Sequence, residues 1–211
     1  MVKVYITTIS EADFDGAIKC LSEYRRAKAK RKNGEGSLTA GLLLDYALRK
    51  HGFYERDMEY GENEHGKPFF KNCPIKFSLS HSGKYAVCVV SDTECGIDAE
   101  KYADTKNVLK IAERYFATDE YEYIKSSGDT KTAFFKLWTR KESLLKAIGT
   151  GISGGLKTYT VLNDEIAIGD TKFRFLEIGG YEDIAITVCA RENTADITFV
   201  TKTDFIKKCR V

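Results

Sequence analysis

Two acidic residues near the middle of the chain are the first candidates for chemistry. Asp98 and Glu100 lie in the segment Gly96-Ile-Asp-Ala-Glu100, which has the pattern of a strand. Alternate side chains of a strand project from one face, so the two carboxylates lie about 7 Å apart, while Ile97 and Ala99 point into the core. Such carboxylates repel each other unless a cation lies between them, and hard oxygen ligands favour magnesium. Two solvent-facing acids at a strand end are the alternative interpretation.

A helix predicted over residues 130–148 adds a third carboxylate and a lysine. Trp138, Glu142 and Lys146 recur at intervals of four residues and therefore share one face of that helix. An intrahelical ion pair between Glu142 and Lys146, worth about 0.3–0.5 kcal/mol, is the simpler interpretation. Both interpretations stay open, because the rest of the helix is strongly apolar.

Hydroxyl groups surround one of the three histidines in Ser78-Leu-Ser-His-Ser-Gly83. A histidine and hydroxyls at a turn suit phosphate binding better than an activated nucleophile, since this segment has no Gly-x-Ser-x-Gly elbow. The glycine-rich segment 149–155 follows a helix instead of preceding one, so it is not a P-loop.

A basic stretch lies between Lys19 and Lys32, where seven basic residues accompany one acid, Glu23. A solvated helix face is the simple interpretation of such a run. A seat for phosphates or for an acidic partner is the alternative.

The overall composition is that of an ordinary globular protein. The chain has 211 residues, 43% hydrophobic and 30% charged, with 33 basic and 31 acidic residues and a net charge of +2. These values exclude collagen, coiled coils and wholesale disorder, and they disfavour a polycation that coats nucleic acid. We expect a cytoplasmic protein, because neither a signal peptide nor a membrane span is evident. The six scattered cysteines are expected to be buried free thiols, without zinc.

The pattern of elements predicts an α+β fold that repeats itself loosely. A strand at residues 2–9 and a helix at 11–32 precede a break at 33–36, after which Ser37 caps an apolar helix over 38–50. An antiparallel meander follows over 75–100, with a return strand at 95–100. Helices at 108–116, 118–125 and 130–148 and strands at 157–161, 172–178, 183–190 and 197–201 complete the chain. We expect two similar α+β halves, 1–102 and 103–211.

Several of these pieces, in this order, resemble the 4′-phosphopantetheinyl transferases, specifically the surfactin-type (Sfp-like) group. The matching motifs are Gly66-Lys-Pro68, Phe77-Ser-Leu-Ser-His-Ser82, Gly96-Ile-Asp-Ala-Glu100, Arg114-Tyr-Phe116 and Trp138-Thr-Arg-Lys-Glu-Ser-Leu-Leu-Lys146. The resemblance covers most of residues 1–160. It implies a pseudo-dimer of two α+β halves with the active site at their interface.

The resemblance also implies an activity and partners. An enzyme of this kind, a holo-[acyl-carrier-protein] synthase, transfers the 4′-phosphopantetheine moiety of coenzyme A to a serine of an apo acyl or peptidyl carrier protein. Adenosine 3′,5′-bisphosphate leaves. We expect a monomer that binds neither nucleic acid nor membranes. Fatty-acid, polyketide and nonribosomal-peptide carriers are all open as clients, with recognition near residues 114–123.

Site residues follow from the same resemblance. Asp98, Glu100 and Glu142 would bind Mg²⁺. The hypothetical base is Glu142 or a metal-bound water that it orients. The coenzyme A phosphates would be bound by Lys67, Ser80, His81, Lys146 and, more weakly, Lys141. The family usually has an arginine where Ser37 stands, at the adenosine 3′-phosphate, so Arg25, Arg26, Lys28 or Lys32 would replace it.

Other functions remain as alternatives. A catalytically silent module that binds coenzyme A or a carrier protein would be consistent with the change at Ser37. A magnesium-dependent phosphohydrolase would use the three acids but would leave Lys67, His81 and the basic helix without a common purpose. A basic nucleic-acid binder is disfavoured, because the cations are confined to one stretch.

Overall fold

The computed structural model describes residues 1–9, 18–29, 34–103, 107–151, 155–201 and 204–205. Its α-helices are α1 (Glu23–Ala29), α2 (Gly34–Arg49), α3 (Val108–Tyr115), α4 (Thr118–Ser126) and α5 (Thr130–Ile148), and a 3₁₀ helix spans Glu55–Asp57. The strands are β1 (Val2–Thr8), β2 (Tyr60–Glu62), β3 (Pro68–Phe70), β4 (Lys76–Ser82), β5 (Tyr85–Ser91), β6 (Cys95–Lys101), β7 (Glu165–Ile168), β8 (Thr171–Glu177), β9 (Ile184–Ala190) and β10 (Ala195–Phe199). The predicted α+β class is confirmed.

The strands form two four-stranded sheets and a small hairpin. The first sheet has the order β10-β1-β5-β4, the second has the order β6-β9-β8-β7, and β2 pairs with β3. Strand β10 runs parallel to β1, whereas the other pairs are antiparallel. In both four-stranded sheets, a strand that precedes residue 102 therefore pairs with one that follows it: β1 with β10, and β6 with β9. The division of the chain into halves at residue 102 stays a prediction.

Apolar side chains arrange the two sheets and the two long helices in four layers. Helix α2 packs on one face of the first sheet, through residues such as Leu44 and Cys88. The other face, with Val4 and Val89, packs against Ile97 of the second sheet. The far side of the second sheet packs against α3, α4 and α5. The two sheets thus bury each other, and each long helix covers one outer face.

The prediction that β6 returns along β5 in a hairpin is wrong. Strand β6 pairs with β9 in the second sheet instead. It still runs beside β4, but serine side chains make that connection: the amide of Ile97 donates to Ser78 Oγ at 3.2 Å, and the amide of Lys101 donates to Ser82 Oγ at 3.0 Å. Because the serines alternate along β4, they share one face. We call this row, Ser78, Ser80 and Ser82, the serine seam.

Most predicted helices are confirmed, with two corrections near the N-terminal end. Ser37 does not cap a helix, because α2 already begins at Gly34 and Ser37 lies within its first turns. The helix predicted over 11–32 is not continuous, since turn and bend residues precede α1; residues 10–17 and 30–33, which include Lys32, lie outside the described part.

Short strands account for the remaining differences. Strands β2, β3 and β7 were not predicted, and the strand expected at 157–161 is a turn and coil segment. The five cysteines within the described residues, Cys20, Cys73, Cys88, Cys95 and Cys189, are free and buried, as expected. Among the described residues, no helix is both long and apolar enough to cross a bilayer.

Candidate active site at the β6–α5 contact

Asp98 lies at the centre of the candidate site. Its side chain is buried, and Oδ1 accepts hydrogen bonds from Lys146 Nζ at 2.6 Å and from Ser80 Oγ at 3.0 Å. Lys146 also donates to the carbonyl oxygen of Ile97 at 3.1 Å. The second oxygen of Asp98, Oδ2, is buried and has no hydrogen-bond partner in the described structure. A buried carboxylate oxygen without a donor is costly, so this atom indicates a missing ligand.

Glu100 and Glu142 bring two more carboxyl groups towards Asp98. Ser82 Oγ donates to Glu100 Oε2 at 3.1 Å. Burial, followed by the negative charge of Asp98, raises the pKa of Glu100. Burial raises the pKa of Glu142 to about 7, Asp98 and Glu100 add to that effect, and Lys146 opposes it. The negative charge of Asp98 thus contributes to the raised pKa of both glutamates, as expected where carboxylates outnumber the cations beside them.

The donor atoms are of the type that binds a hard cation. Glu142 Oε1 is buried without a hydrogen-bond partner among the described residues, as is Asp98 Oδ2. Within the same residues, no three histidine, cysteine, aspartate or glutamate side chains form a ready-made metal-binding group. The orphaned oxygens and the excess negative charge therefore fit a divalent cation in chemistry, although the side chains do not form a closed cage.

Two local features set the geometry of this site. The serine seam attaches β4 to β6 and directs Ser80 and Ser82 at the two carboxylates of β6. Gly96 lets α5 approach β6 closely, because any Cβ there would collide with the helix backbone. Trp138 lies on the same helix but packs among aromatic side chains such as Phe134, with ring centroids 5.7 Å apart. It anchors α5 in the core of the second half.

A cleft of about 270 Å³ opens beside Lys146. Its lining is shared between distant parts of the chain: Arg25, His65, Gly66, Lys67, Pro68, Phe77, Ser78, Leu79, Leu145, Lys146, Gly149 and Gly151. Three of these residues, Arg25, Lys67 and Lys146, are cations. The cleft therefore places positive charge next to the carboxylate cluster, as an anionic ligand requires.

Lys67 joins the Gly66-Lys-Pro68 segment to the end of α5. Its Nζ lies 2.7 Å from Glu94 Oε2 and donates to the carbonyl oxygen of Ala147 at 2.8 Å. Asn63 Nδ2 donates to the carbonyl oxygen of Gly149 at 2.7 Å. Both side chains thus satisfy carbonyl groups at the C-terminal end of α5, where the helix dipole favours a cation.

Ser80 and His81 follow one another on β4 but have different surroundings. Ser80 donates to Asp98, as described above. The imidazole of His81 packs on Gly36 in the first turn of α2, where a Cβ would lie 2.5 Å from Nδ1. Burial and the nearby charge of Lys146 lower the pKa of His81. The close approach of this ring explains why a glycine stands at position 36 of the helix.

Lys141 is the clearest departure from the predicted site. Its side chain is buried, and Nζ lies 2.7 Å from Glu120 Oε2, with the carbonyl oxygens of Leu156 and Tyr159 at 2.7 and 2.5 Å. Successive residues of a helix point about 100° apart. Lys141 therefore projects from a different face than Glu142 and fixes the segment that follows α5. It makes no contact with the carboxylates of β6 in the described structure.

The basic residues of helix α1 lie in different environments. Arg25 is buried and lines the cleft, whereas Lys28 forms an exposed ion pair with Glu62 at 3.2 Å. Of the proposed substitutes for the missing arginine, the structure brings Arg25 to the cleft.

Sequence reasoning missed several residues around the site. Glu94, Glu55 and Tyr60 each contact a predicted site residue or the support of one. Ser82 was among the hydroxyls considered for phosphate binding, but its hydrogen bond to Glu100 was not foreseen. The alternating serines of β4 carried a signal for Ser82, since Ser78, Ser80 and Ser82 share a face. Glu94, Glu55 and Tyr60 carried none, because their partners are distant in sequence.

Comparison with known proteins identifies the family of this chain. A family model described as the 4′-phosphopantetheinyl transferase superfamily matches residues 94–189, which include β6 and α5. A 4′-phosphopantetheinyl transferase of Bacillus subtilis is 31% identical over 161 residues, which cover 72% of this chain and 71% of the relative. The transferase Sfp of Bacillus subtilis strain 168 is 29% identical over 162 residues, with 72% and 71% covered.

A third relative aligns over a shorter stretch. The transferase gsp of Aneurinibacillus migulanus is 36% identical over 124 residues, which cover 57% of this chain but only 51% of the relative. The chain thus spans about half to seven tenths of the relatives that it matches. On these comparisons the chain belongs to the 4′-phosphopantetheinyl transferase superfamily, and within it to the surfactin-type (Sfp-like) group, as the motifs predicted.

Proposed function

We propose that the protein transfers the 4′-phosphopantetheine arm of coenzyme A to a serine hydroxyl of an apo carrier protein. The observation that carries this proposal is the contact between β6 and α5. It places Asp98, Glu142 and Lys146 together beside a cleft that Arg25 and Lys67 also line. Family membership supports the reaction type.

The proposed reaction breaks one bond of the coenzyme A pyrophosphate and forms one new ester. The serine oxygen of the carrier attacks the phosphorus that bears the pantetheine arm, and the bond to the bridging oxygen breaks. Adenosine 3′,5′-bisphosphate leaves with that oxygen. The proton of the serine passes to Glu142, the candidate base at this site.

Asp98, Glu100 and Glu142 would hold Mg²⁺ at this site. A divalent cation there would neutralise charge that develops on the transferred and leaving phosphates. The observation that supports a metal here is that two buried oxygens, Asp98 Oδ2 and Glu142 Oε1, have no hydrogen-bond partner among the described residues. Lys146 would bind a phosphate oxygen from the same helix, with Ser80, His81 and Lys67 as further phosphate ligands. Lys141 and Lys28 are left out of this set because neither lines the cleft and their ammonium groups pair with Glu120 and Glu62.

The halves 1–102 and 103–211 would then meet at the active site. We expect the functional unit to be a monomer, and we expect neither nucleic acid nor a membrane as a partner. We place carrier recognition near residues 114–123, where Tyr123 is an exposed aromatic side chain. A cytoplasmic location would be consistent with these substrates.

Intact-protein mass spectrometry tests the reaction. An apo carrier protein incubated with this protein, coenzyme A and magnesium should gain one phosphopantetheine group, and EDTA should prevent the gain. The matched control is Glu142→Gln, which keeps the shape of the side chain and should leave the carrier unmodified. If the wild-type protein binds coenzyme A but modifies neither fatty-acid nor peptide-synthesis carriers, the silent binding module replaces the enzyme.

A further inference from the structure

Arg25 is a buried cation without a counter-ion among the residues that the structure describes. Its side chain is 6% exposed, although the residue lines the cleft. In the described part of the chain it forms no ion pair, and Nη2 is buried without a hydrogen-bond partner. A guanidinium group buried in this way is costly unless an anion reaches it.

Aromatic rings surround the guanidinium group. Its Cζ lies 5.2 Å from the ring centroid of Tyr60 and 5.4 Å from that of Phe77. Tyr24 stacks on Tyr60, with centroids 4.2 Å apart. Ring faces attract a cation, and they compensate part of the cost of burial without using its N–H groups.

One hydrogen-bond chain fixes the orientation of this group. Arg25 Nε donates to the hydroxyl oxygen of Tyr60 at 3.1 Å, and that hydroxyl donates to Glu55 Oε1 at 2.5 Å. Glu55 is fully buried in the 3₁₀ helix. Because the phenol stands between them, the carboxylate orients the arginine without pairing with it directly.

Glu55 also holds the start of the helix that carries Arg25. Its carboxylate accepts hydrogen bonds from the amide and the hydroxyl of Ser22 at 2.6 and 2.8 Å. The hydroxyl of Ser22 in turn accepts from the amide of Arg25 at 3.3 Å, in the manner of a helix N-cap. The same carboxylate therefore determines both the backbone and the side-chain position of Arg25.

We infer that Glu55 and Tyr60 are positioning residues that hold Arg25 ready for the 3′-phosphate of coenzyme A. The inference rests on the proposed function. Coenzyme A has a pyrophosphate and a separate 3′-phosphate. Lys146 and the carboxylate cluster would account for the pyrophosphate, and Arg25 is the cation of the cleft that has no anionic partner within the described residues. A direct Glu55–Arg25 ion pair would cancel this charge, whereas the phenol leaves the Nη groups for the ligand.

Calorimetric titration of the full chain with coenzyme A and with dephospho-coenzyme A tests the inference, since the second ligand lacks only the 3′-phosphate. Tyr60→Phe keeps the ring and removes the hydroxyl. It should weaken coenzyme A binding about tenfold, the effect of one hydrogen bond to a charged group, and change dephospho-coenzyme A binding less than about twofold. In turnover, KM for coenzyme A should rise while kcat stays unchanged.

Tyr24→Phe is the matched control. Its hydroxyl donates to Glu62 at 2.5 Å and so lies outside the chain from Glu55 to Arg25. Affinity for both ligands should stay within about twofold of wild type for this change to an exposed hydroxyl. Combining Tyr60→Phe with Arg25→Ala should cost no more than Arg25→Ala alone, because the hydroxyl acts only through the arginine. Glu55→Gln should show the same ligand preference as Tyr60→Phe.

The outcomes separate this inference from the function on which it rests. Wild-type affinity for coenzyme A in Tyr60→Phe, or equal losses for the two ligands, would overturn the positioning role and leave the transferase intact. A wild-type protein that binds neither ligand would overturn the proposed function and the positioning role together.

Discussion

Gly96 and Ser143 are in direct backbone contact across the boundary between β6 and α5. A Cβ added at Gly96 would lie 2.0 Å from the carbonyl oxygen of Ser143 and 2.6 Å from the amide nitrogen of Ala147. The missing side chain therefore sets the separation of strand and helix. That separation in turn allows Lys146 to reach Asp98.

Gly96→Ala should destabilise the protein, because the new methyl group meets backbone and not the end of a flexible side chain. Overpacking of this kind costs about 1–3 kcal/mol or more, and each kcal/mol lowers Tm by about 2–4 °C in a chain of this size. Thermal unfolding followed by circular dichroism measures the change. Gly179→Ala is the control, since nothing lies within 4 Å of a Cβ there. Equal Tm values for the two variants would contradict the close contact.

Two of the lysines of α5, Lys141 and Lys146, should respond differently to the same substitution. Lys141→Met removes a buried cation and leaves the carboxylate of Glu120 without it, which costs about 3–5 kcal/mol of stability. The protein that remains folded at low temperature should bind coenzyme A with wild-type affinity. Lys146→Met should lower kcat about 10²–10³-fold, as loss of one electrostatic contact in an active site does.

Unfolding curves and single-turnover rates for both lysine variants distinguish the roles. A lower coenzyme A affinity in folded Lys141→Met would restore Lys141 to the binding site. Wild-type turnover by Lys146→Met would remove Lys146 from the reaction.

The stability of the metal-free protein should depend on pH through Glu142. Its pKa is raised from 4.5 to about 7 in the folded state, so the folded protein holds a proton that the unfolded chain has lost between these values. The resulting stability is fully present below pH 4.5 and is lost as pH rises through 7. Because the site is partly open to solvent, we expect an effect of about 1–2 kcal/mol.

Glu142→Gln cannot titrate and should lose this dependence. Comparison of Tm at pH 5 and pH 8 in EDTA measures the difference between wild type and variant. Added magnesium should raise the Tm of the wild-type protein at pH 8 and should raise that of Glu142→Gln less. Parallel pH profiles for the two proteins would show that Glu142 ionises normally.

Three buried cysteines should resist thiol reagents in the native state. Burial raises the pKa of Cys88, Cys95 and Cys189, to about 12 in the case of Cys95, so the reactive thiolate is scarce. Labelling followed by peptide mass spectrometry should find these residues unmodified until guanidinium is added. Rapid labelling of Cys95 without denaturant would contradict its burial between the sheets.

Local periodicity explains how much of the site could be predicted. A period of two placed Asp98 and Glu100 on one face of β6, and a period of four placed Glu142 and Lys146 on one face of α5. The same rule argues against Lys141, since a neighbour of Glu142 on a helix cannot share its face. Lys141 was included in the predicted site because of the family resemblance, which does not say from which face of the helix a side chain projects.

Tertiary contacts explain what could not be predicted. Strand β6 follows β5 after a short turn, and the pattern of a hairpin is identical whether the second strand pairs with the first or leaves for another sheet. The strand with which β6 pairs, β9, lies some ninety residues later, so no local pattern reveals it. Glu55 and Tyr60 were missed for the same reason, because nothing local connects them to Arg25.

The parallel pairing of β1 with β10 has a consequence for how the protein acquires its structure. Val2 pairs with Ala195 and Ile6 with Phe199, so the chain must close a loop that contains nearly all its other elements before this ladder can form. Contacts between such remote residues slow folding, and their loop-closure entropy is compensated only when the intervening core exists. We therefore expect β10 to dock late, onto a nearly finished molecule, and its amides to exchange hydrogen earlier than those of β5.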